Sequence, residues 1–553
     1  NAVSEFSKSS ILPVTDKIDK FDKDLSVSLF KQMGELGFLG VDVPEKYGGS
    51  GLDKTTSCII VDALSAGSSA SMLVTASAHT GIATLPIIWY GTEEQKQKYL
   101  PKLASGEWMG CYALTEPNAG SDALAGETRA ELSDDGAHYI LNGQKIYITN
   151  ASWADICVTF AKVDGKYTSF IIEKGTEGFS VGAEEHKMGI KGSSTATLYF
   201  ENCMVPAENM LGELGQGGPI AFNVLYSGRY KLGMSTGAGV KHIVNYSLEF
   251  ASNREQFNKP ISSFGMIQKK FANMIRHAWE SETVVYMTSG SIDHAISGLD
   301  ESDLEYYDMV QKIIEDHGIE ASISKIVGSE ALWYGADEGV QIHGGAGFIE
   351  EYKIAGAYRD ERINRIFEGT NEINRLIISG NILKKAILDE VPIREMIAIR
   401  KDSWIPEIDV DSSILDVARA IEMSRSIVLT ILHSIIMRYG QDFKNEQWVI
   451  EPFADIVISL CVMDSCFKRY NHLNSGPLKD AARQVLELST AERYRSLLEN
   501  SRHIALHIGD KSLDNDIDKW SKKLSYRPDI ILIQKKIYKT LEMYGEYYLD
   551  KEV

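Results

Sequence analysis

The sequence predicts a mainly α protein with a central β domain, and three observations carry that prediction. Apolar residues recur at three-to-four spacing over the first and last parts of the chain, as in helices with one buried face. Between about 110 and 210 the texture changes to short runs that alternate apolar and polar residues, as strands do. The chain's 553 residues exceed what one core organises, so several domains are expected.

Residues 1–110 are the expected helical N-terminal domain. VSLFKQMGELGFLG is an amphipathic helix, VPEKYGGSGLD is a Pro/Gly turn that no helix crosses, and TEEQKQKYLPKLASG is a helix stopped by its final glycine. Residues 111–215 are the expected middle β domain, with strands at AHYILNGQKIYITN, ICVTFAKV, YTSFIIEK and TATLYFEN. Asn142–Gly143, flanked by such runs, predicts a hairpin turn. Glycine-rich LGELGQGGP closes this domain, and residues 216–385 are an expected helical bundle domain. Residues 386–412 hold two prolines and many charges and are expected as a linker. Residues 413–553 then form a C-terminal helical domain, from LDVARAIEMSRSIVLTILHSIIMRYG onward.

Composition narrows the function. Hydrophobic content of 44% and charge of 24% describe a folded globular chain. A net charge of -20 repels phosphate backbones and anionic lipid, so neither nucleic acid nor stable membrane insertion is expected. No uninterrupted apolar run is long enough to span a bilayer, and NAVSEFSKSS does not resemble an export signal. Six scattered cysteines without a CxxC pair read as reduced thiols of a cytosolic protein. With no HExxH, GxSxG or strand-borne GxGxxG, no metal ligand set, serine nucleophile or nicotinamide site is expected.

Polar residues concentrate instead in a few loops. In YALTEPNAGSD, Pro117 and Gly120 force a turn, and Thr115, Ser121 and freed backbone N–H groups can bond a ligand or simply cap the turn. In KIYITNA, Tyr147 and Thr149 share one side of a strand, a flat wall with a hydroxyl or an ordinary half-buried face. In NREQFNKPISSFGMIQ, Arg254 can grip a pyrophosphate beside Phe257 and Gln268. In QIHGGAGF, Gly344, Gly345 and Gly347 allow a backbone to approach a phosphate, while His343 reads as a packed residue. In RINRIFEGTNEINRL, Glu368 stands between Phe367 and Gly369, and the neighbouring charges read as ion pairs.

These stretches resemble the acyl-CoA dehydrogenase family. ALTEPNAGSDALA and QIHGGAGFIEEYKIAGAYRD match its two signatures, the second except at Gly356, and VPEKYGGSG and RIFEGTNEI match as well. NREQF and the C-terminal extension are most similar to the very-long-chain branch. The resemblance implies a helical N-domain, a β-barrel-like middle domain and a four-helix-bundle domain, here followed by the extra helices. It implies non-covalent FAD, with Thr115 and Thr149 on the flavin ring, Tyr147 against it and Ser121 at the substrate boundary. Tyr112, Leu114, Gly120, Ile148, Thr370 and Glu372 join the expected cofactor residues. Arg254, Phe257, Gln268, Gln341, Gly344 and Gly345 would hold the dinucleotide end of FAD from a neighbouring subunit, so a homodimer is expected. Tyr226, Arg229 and Gly369 would line the acyl-CoA site.

The implied reaction removes the hydrogens at carbons 2 and 3 of an acyl-CoA, the β hydrogen leaving as hydride. A carboxylate in water is a poor base for a thioester α C–H, but beside Phe367 in a dried site Glu368 becomes a competent one. Its backbone N–H would stabilise the thioester oxygen. Electron-transfer flavoprotein is the implied acceptor, and the compartment is the cytoplasm of a bacterial-type cell or the mitochondrial matrix. The helix HTGIATLPIIWYG would floor the acyl pocket; Ala83 and Pro86 stand there where very-long-chain enzymes carry glycines, yet long substrates remain the expectation. Two rival readings use the same fold, an oxidase passing electrons to oxygen and a non-enzymatic flavoprotein for binding or assembly.

Overall fold

The computed structural model describes residues 1–402, 410–524 and 526–550. Part of the expected linker, 403–409, lies outside the described residues. The chain divides into two compact units. The first is Asn1–Ser235, Thr288–His317 and Arg359–Glu368; the second is Thr236–Met287, Gly318–Tyr358 and Gly369–Val553.

In the first unit the N-terminal helices start where the sequence places acceptors for free backbone N–H groups. Asp22 caps Lys23–Glu35, Asp53 caps Lys54–Ser65, and Thr92 with Gln95 forms a capping box before Glu93–Ala104. Leu29, Phe30 and Met33 turn inward with Ile11, Ile18 and Met72 to make one core. Asp42 is buried between the Lys54 and Lys231 ammonium groups, at 2.7 and 2.6 Å, which hold its carboxyl well below the usual range against the opposing effect of burial.

The β part of this unit is one eight-stranded sheet. Its strands run in the order Phe179–Glu184, Thr195–Pro206, His138–Thr149, Arg129–Leu132, Ile156–Val163, Lys166–Glu173 and Met210–Leu211. Gly110–Ala113 adds alongside Ile156–Val163 in parallel, whereas most neighbours are antiparallel. The expected hairpin at Asn142–Gly143 is not there. His138–Thr149 continues straight through it as one strand, with a register shift between Leu141 and Gly143. Gly143 takes φ +149°, and a Cβ on it would lie 2.5 Å from Thr128 Oγ1, so the glycine serves a bulge and a close strand approach.

The second unit is helical and built around one core that runs from Val240 to Leu549. Trp279, Phe271 and Val244 from the bundle helices share it with Ile427, Phe453, Leu486 and Ile537 from the appended ones. Inside the span expected as a linker, Ile393–Asp402 is a helix with Ile393 buried, because Ile393 and Met396–Ile397 repeat at helical spacing. Buried charges also tie the appended helices down. Glu280, fully buried, accepts from Arg276 at 2.8 Å, Arg493 at 2.6 Å and Ser489 at 2.7 Å. Two stretches, Ala70–Tyr90 and Ser412–Asn445, are long and apolar enough to cross a membrane by composition, and 72% and 56% of their apolar windows are buried in the protein.

Candidate active site

Within the first unit Glu368 occupies an unusual backbone position. Its φ is +57°, a left-handed conformation that a side-chain-bearing residue adopts only when its surroundings impose it. One contact that holds it is Arg229, whose Nε donates to the Glu368 carbonyl at 3.0 Å. Arg229 is itself almost fully buried on the helix Gly217–Asn253, with its guanidinium over the Tyr226 ring at 4.9 Å. Burial pulls the Arg229 pKa down, and Tyr226 and Glu368 oppose that pull.

The carboxylate end of Glu368 lies against the backbone of the same helix. A Cβ on Gly228 would sit 2.8 Å from Glu368 Oε2 and 2.9 Å from Cδ. Gly228 therefore makes room for the carboxyl group, a role that helical periodicity does not reveal. Tyr112 packs edge-on to Phe160, and its hydroxyl donates to the Ala221 carbonyl at 3.4 Å. Burial pushes the Tyr112 phenol well above its usual pKa, with Glu368 adding to the push. Phe367 and Glu368 are both half-buried.

The loop and strand residues named from the sequence are accessible to different degrees in this unit. Tyr147 is 64% exposed and takes φ +60° at a second bulge of its strand, between Lys145 and Ile148. Thr149 and Thr115 are half-buried, and Gly120 and Ser121 are exposed. Among the described residues the Thr115, Ser121 and Thr149 hydroxyls have no protein hydrogen-bond partner. An exposed aromatic beside uncommitted hydroxyls fits a flat, polar-edged ring such as a flavin. Tyr112, Leu114 and Ile148 point inward, so what they can offer such a ring is main chain.

The helix expected to floor the acyl pocket is irregular. Ala78–Ala83 is π-helical and Leu85–Tyr90 resumes as α-helix. Ala83 is buried with its Cβ 2.8 Å from where a Gly110 Cβ would be, so it faces the first strand of the sheet. The Thr84 hydroxyl donates to the His79 carbonyl at 2.8 Å, and Tyr90 accepts from Asn223 at 3.0 Å.

In the second unit Arg254, Phe257, Gln341, Gly344 and Gly345 are exposed, and the stretch expected as a loop from Gln341 is still the helix Gly318–His343, with Ile342 and His343 buried. Phe257 is 87% exposed at φ +55°, at the tip of a two-stranded ribbon, with its edge towards Phe264. The Gln268 amide donates to the Ser262 carbonyl at 3.1 Å. His343 stacks on Phe250 and Tyr246, a packed residue as expected. Gly344 leaves the helix at φ +58°, whereas a Cβ on Gly347 would strike the Val340 carbonyl at 2.5 Å; the third glycine is a packing residue. Gly369 does not end a helix. It precedes one, with Thr370 as the N-cap of Asn371–Ile387 and Glu372 exposed in the first turn. Fully buried Lys325 donates to the Gly369 carbonyl at 2.9 Å, a contact with no signal in the sequence. Among the neighbouring charges of the first unit, Asp360 accepts from the Ile190 N–H instead of standing on an exposed helix face.

The chain matches three consecutive family descriptions: acyl-CoA dehydrogenase N-terminal domain over residues 1–107, middle domain over 111–203 and C-terminal domain over 215–383. It is 43% identical over 516 residues to a probable acyl-CoA dehydrogenase of Bacillus subtilis, covering 92% of this chain and 86% of the relative. It is 35% identical to the mitochondrial very long-chain specific acyl-CoA dehydrogenase of Rattus norvegicus, covering 81% and 70%. Among solved structures, an acyl-CoA dehydrogenase of Bacillus anthracis complexed with FAD superposes with a TM-score of 0.94 at 39% identity, covering 99% of this chain and 94% of that one. Butyryl-CoA dehydrogenase from Megasphaera elsdenii superposes with a TM-score of 0.63 at 36% identity, over 69% of this chain and 96% of its own.

Proposed function

Because the chain belongs to the acyl-CoA dehydrogenase family of FAD-dependent oxidoreductases, we propose that Glu368 is its catalytic base and long-chain fatty acyl-CoA its substrate. One observation carries the assignment of the base: a glutamate held at φ +57° by a buried arginine, with its carboxylate set against a glycine. A conformation that costs about 1–3 kcal/mol is kept where the side chain's aim matters.

FAD, when bound, supplies the acceptor for the β hydrogen as hydride. Thr115, Ser121, Tyr147 and Thr149 would hold its ring, and Arg254, Phe257 and the Gln341–Gly345 stretch its dinucleotide end in a partner subunit of a homodimer. Glu368 takes the α proton. Arg229 fixes the peptide that follows Glu368, and the Glu368 N–H, in the preceding peptide, would meet a thioester oxygen that gains charge. Phe367 and the bound acyl chain exclude water, which raises the proton affinity of the base. Electrons would pass on to an electron-transfer flavoprotein, in the β-oxidation of fatty acids. Long chains are favoured by the similarity to very long-chain enzymes and by Ala83, which packs on the sheet and so adds no bulk elsewhere.

Anaerobic mixing with acyl-CoA from butyryl to stearoyl tests the whole reading. The parent is expected to bleach its flavin fastest with long chains. Glu368→Gln is expected to bind acyl-CoA but to bleach at least ~1,000-fold more slowly, a barrier increase of about 4 kcal/mol. A variant that bleaches at the parent rate removes Glu368 as the base, and an optimum at eight carbons or fewer removes the chain-length assignment. Peroxide release in air at the rate of turnover would favour the oxidase reading.

A further inference from the structure

We propose that the buried pair Lys145–Glu116 is a positioning device that ties together the two stretches expected to face the flavin, the loop Tyr112–Ser121 and the strand end Tyr147–Thr149. It rests on the reading that those stretches hold FAD, and it assigns a task to two residues that neither hydrolytic motif nor helical pattern singles out.

Lys145 is fully buried and Glu116 nearly so, at 0% and 5% of the side chain exposed. Lys145 Nζ donates to Glu116 Oε1 at 2.6 Å and to the Leu114 carbonyl at 3.3 Å. The same carboxylate accepts from the Glu127 N–H and from the Thr128 N–H at 3.1 Å. Gly126 leaves the space that the carboxylate fills, since a Cβ there would meet Glu116 Oε1 at 2.7 Å. Around this hub the loop is pinned at Leu114, Thr115, Glu116 and Ala119. Leu114 is held by Lys145, the Thr115 carbonyl by the Ile146 N–H at 2.9 Å, and Glu116 by a reciprocal pair of backbone bonds with Ala119 at 3.1 Å.

The lysine sits on the other stretch. Lys145 is the last residue in regular register before the bulge that turns Tyr147 outward at φ +60°. One ion pair thus fixes both the peptide of Thr115 and the start of the bulge that presents Tyr147 and Thr149. A buried pair is weak evidence for net stability, because desolvation of two charges offsets their attraction. Burial raises the Glu116 pKa, but Lys145 and the Thr128 and Glu127 donors bring it below its usual range, and burial pulls Lys145 down as well. What such a pair supplies is geometry: three donors converging on one carboxylate, Lys145 Nζ and the Glu127 and Thr128 N–H groups, hold the loop in one arrangement.

The test compares holoprotein of Lys145→Met, Glu116→Gln and the double variant, following flavin absorbance, FAD release and melting. Each single variant leaves a buried charge alone and is expected to melt lower. The double variant carries no lone charge, so it is expected to melt closer to the parent, yet to release FAD at least tenfold faster and to shift the flavin bands. Parental FAD release and spectrum in the double variant would overturn the proposal. Should the double variant fail to fold, the parent protein decides. Exchange of the Glu127, Thr128 and Ile146 amides must then accelerate together when FAD is stripped, and unchanged or unrelated rates overturn the proposal. Thr149→Val separates this result from the reading beneath it: if that variant keeps parental FAD binding and spectrum, the stretches do not face the flavin at all.

Discussion

Gly228 and Asp360 show how single residues set the conditions around the proposed base. A methyl on Gly228 meets the carboxylate of Glu368, which is the movable end of a flexible side chain, so the carboxylate gives way and the helix stays. Gly228→Ala is expected to slow flavin bleaching by acyl-CoA at least ~10-fold, about 1.4 kcal/mol, with melting within a few degrees of the parent. Parental bleaching would mean that the carboxylate's seat is not critical. Asp360 shares the short first-unit segment that ends at Glu368, and burial raises its pKa to about 6 from an ordinary 3.8. The Ile190 N–H, Arg359 and Lys191 favour its charged form, and Asp19 disfavours it. A carboxyl with a raised folded pKa binds its proton more tightly when folded. Its contribution therefore strengthens the fold as pH falls from about 6 towards 4, and is absent above that window. Asp360→Asn, which keeps an acceptor for Ile190, is expected to raise the melting temperature at pH ~8 and to change it little near pH ~4. An equal shift at both would show that ionisation is not the cause. Of these two residues the sequence announced neither role. It did name Tyr226, Arg229 and Glu368, which the fold gathers, because motif residues are recognisable in a line. A glycine within a helix reads only as a weak helix former, and contact with a side chain 140 residues later leaves no local trace.

At the scale of elements, periodicity identified helices and strands but not their company. Asn142–Gly143 looked like a turn because a bulge and a hairpin draw on the same residues, and only the partner strand Thr195–Pro206 decides between them. The appended helices read as a separate domain because amphipathic spacing says that a face is buried without saying against what. That face meets the bundle. The helix Pro477–Ile508 docks on Gly265–Ile296 through Arg493, Ser489 and Glu280. Removing one partner of a fully buried carboxylate costs about 3–5 kcal/mol, since the charge stays behind. Arg493→Met is expected to lower unfolding free energy by that amount in denaturant titrations, because Glu280 Oε2 loses both of its bonds to the guanidinium. A loss below 1 kcal/mol would mean that Arg276 satisfies Glu280 alone.

For the whole molecule, each compact unit is assembled from segments far apart in the chain. Arg359–Glu368 completes the first, and the second reaches from Thr236 to the C-terminus. Lys241 pairs with Asp550 at 3.4 Å, and Tyr547 N–H donates to Asn245 at 2.6 Å. A chain ended after residue 390 is expected to lose the bundle along with the appended helices, because Trp279 and Phe271 lie in the shared core. Circular dichroism and limited proteolysis of that fragment check this; a protease-resistant fragment with a cooperative melt would refute it. The shared core also sets a timetable for synthesis. At ~5–20 residues per second a ribosome needs roughly 15–60 s to travel from Val240 to Leu549. Over that interval the part of the core's lining already made waits outside the ribosome for the part still to come, so chaperones that shield apolar faces have their longest task here. A ribosome that stalls late on the message leaves a polypeptide already carrying Glu368 but lacking the residues that close its second unit, and quality-control proteases would meet it as an open substrate.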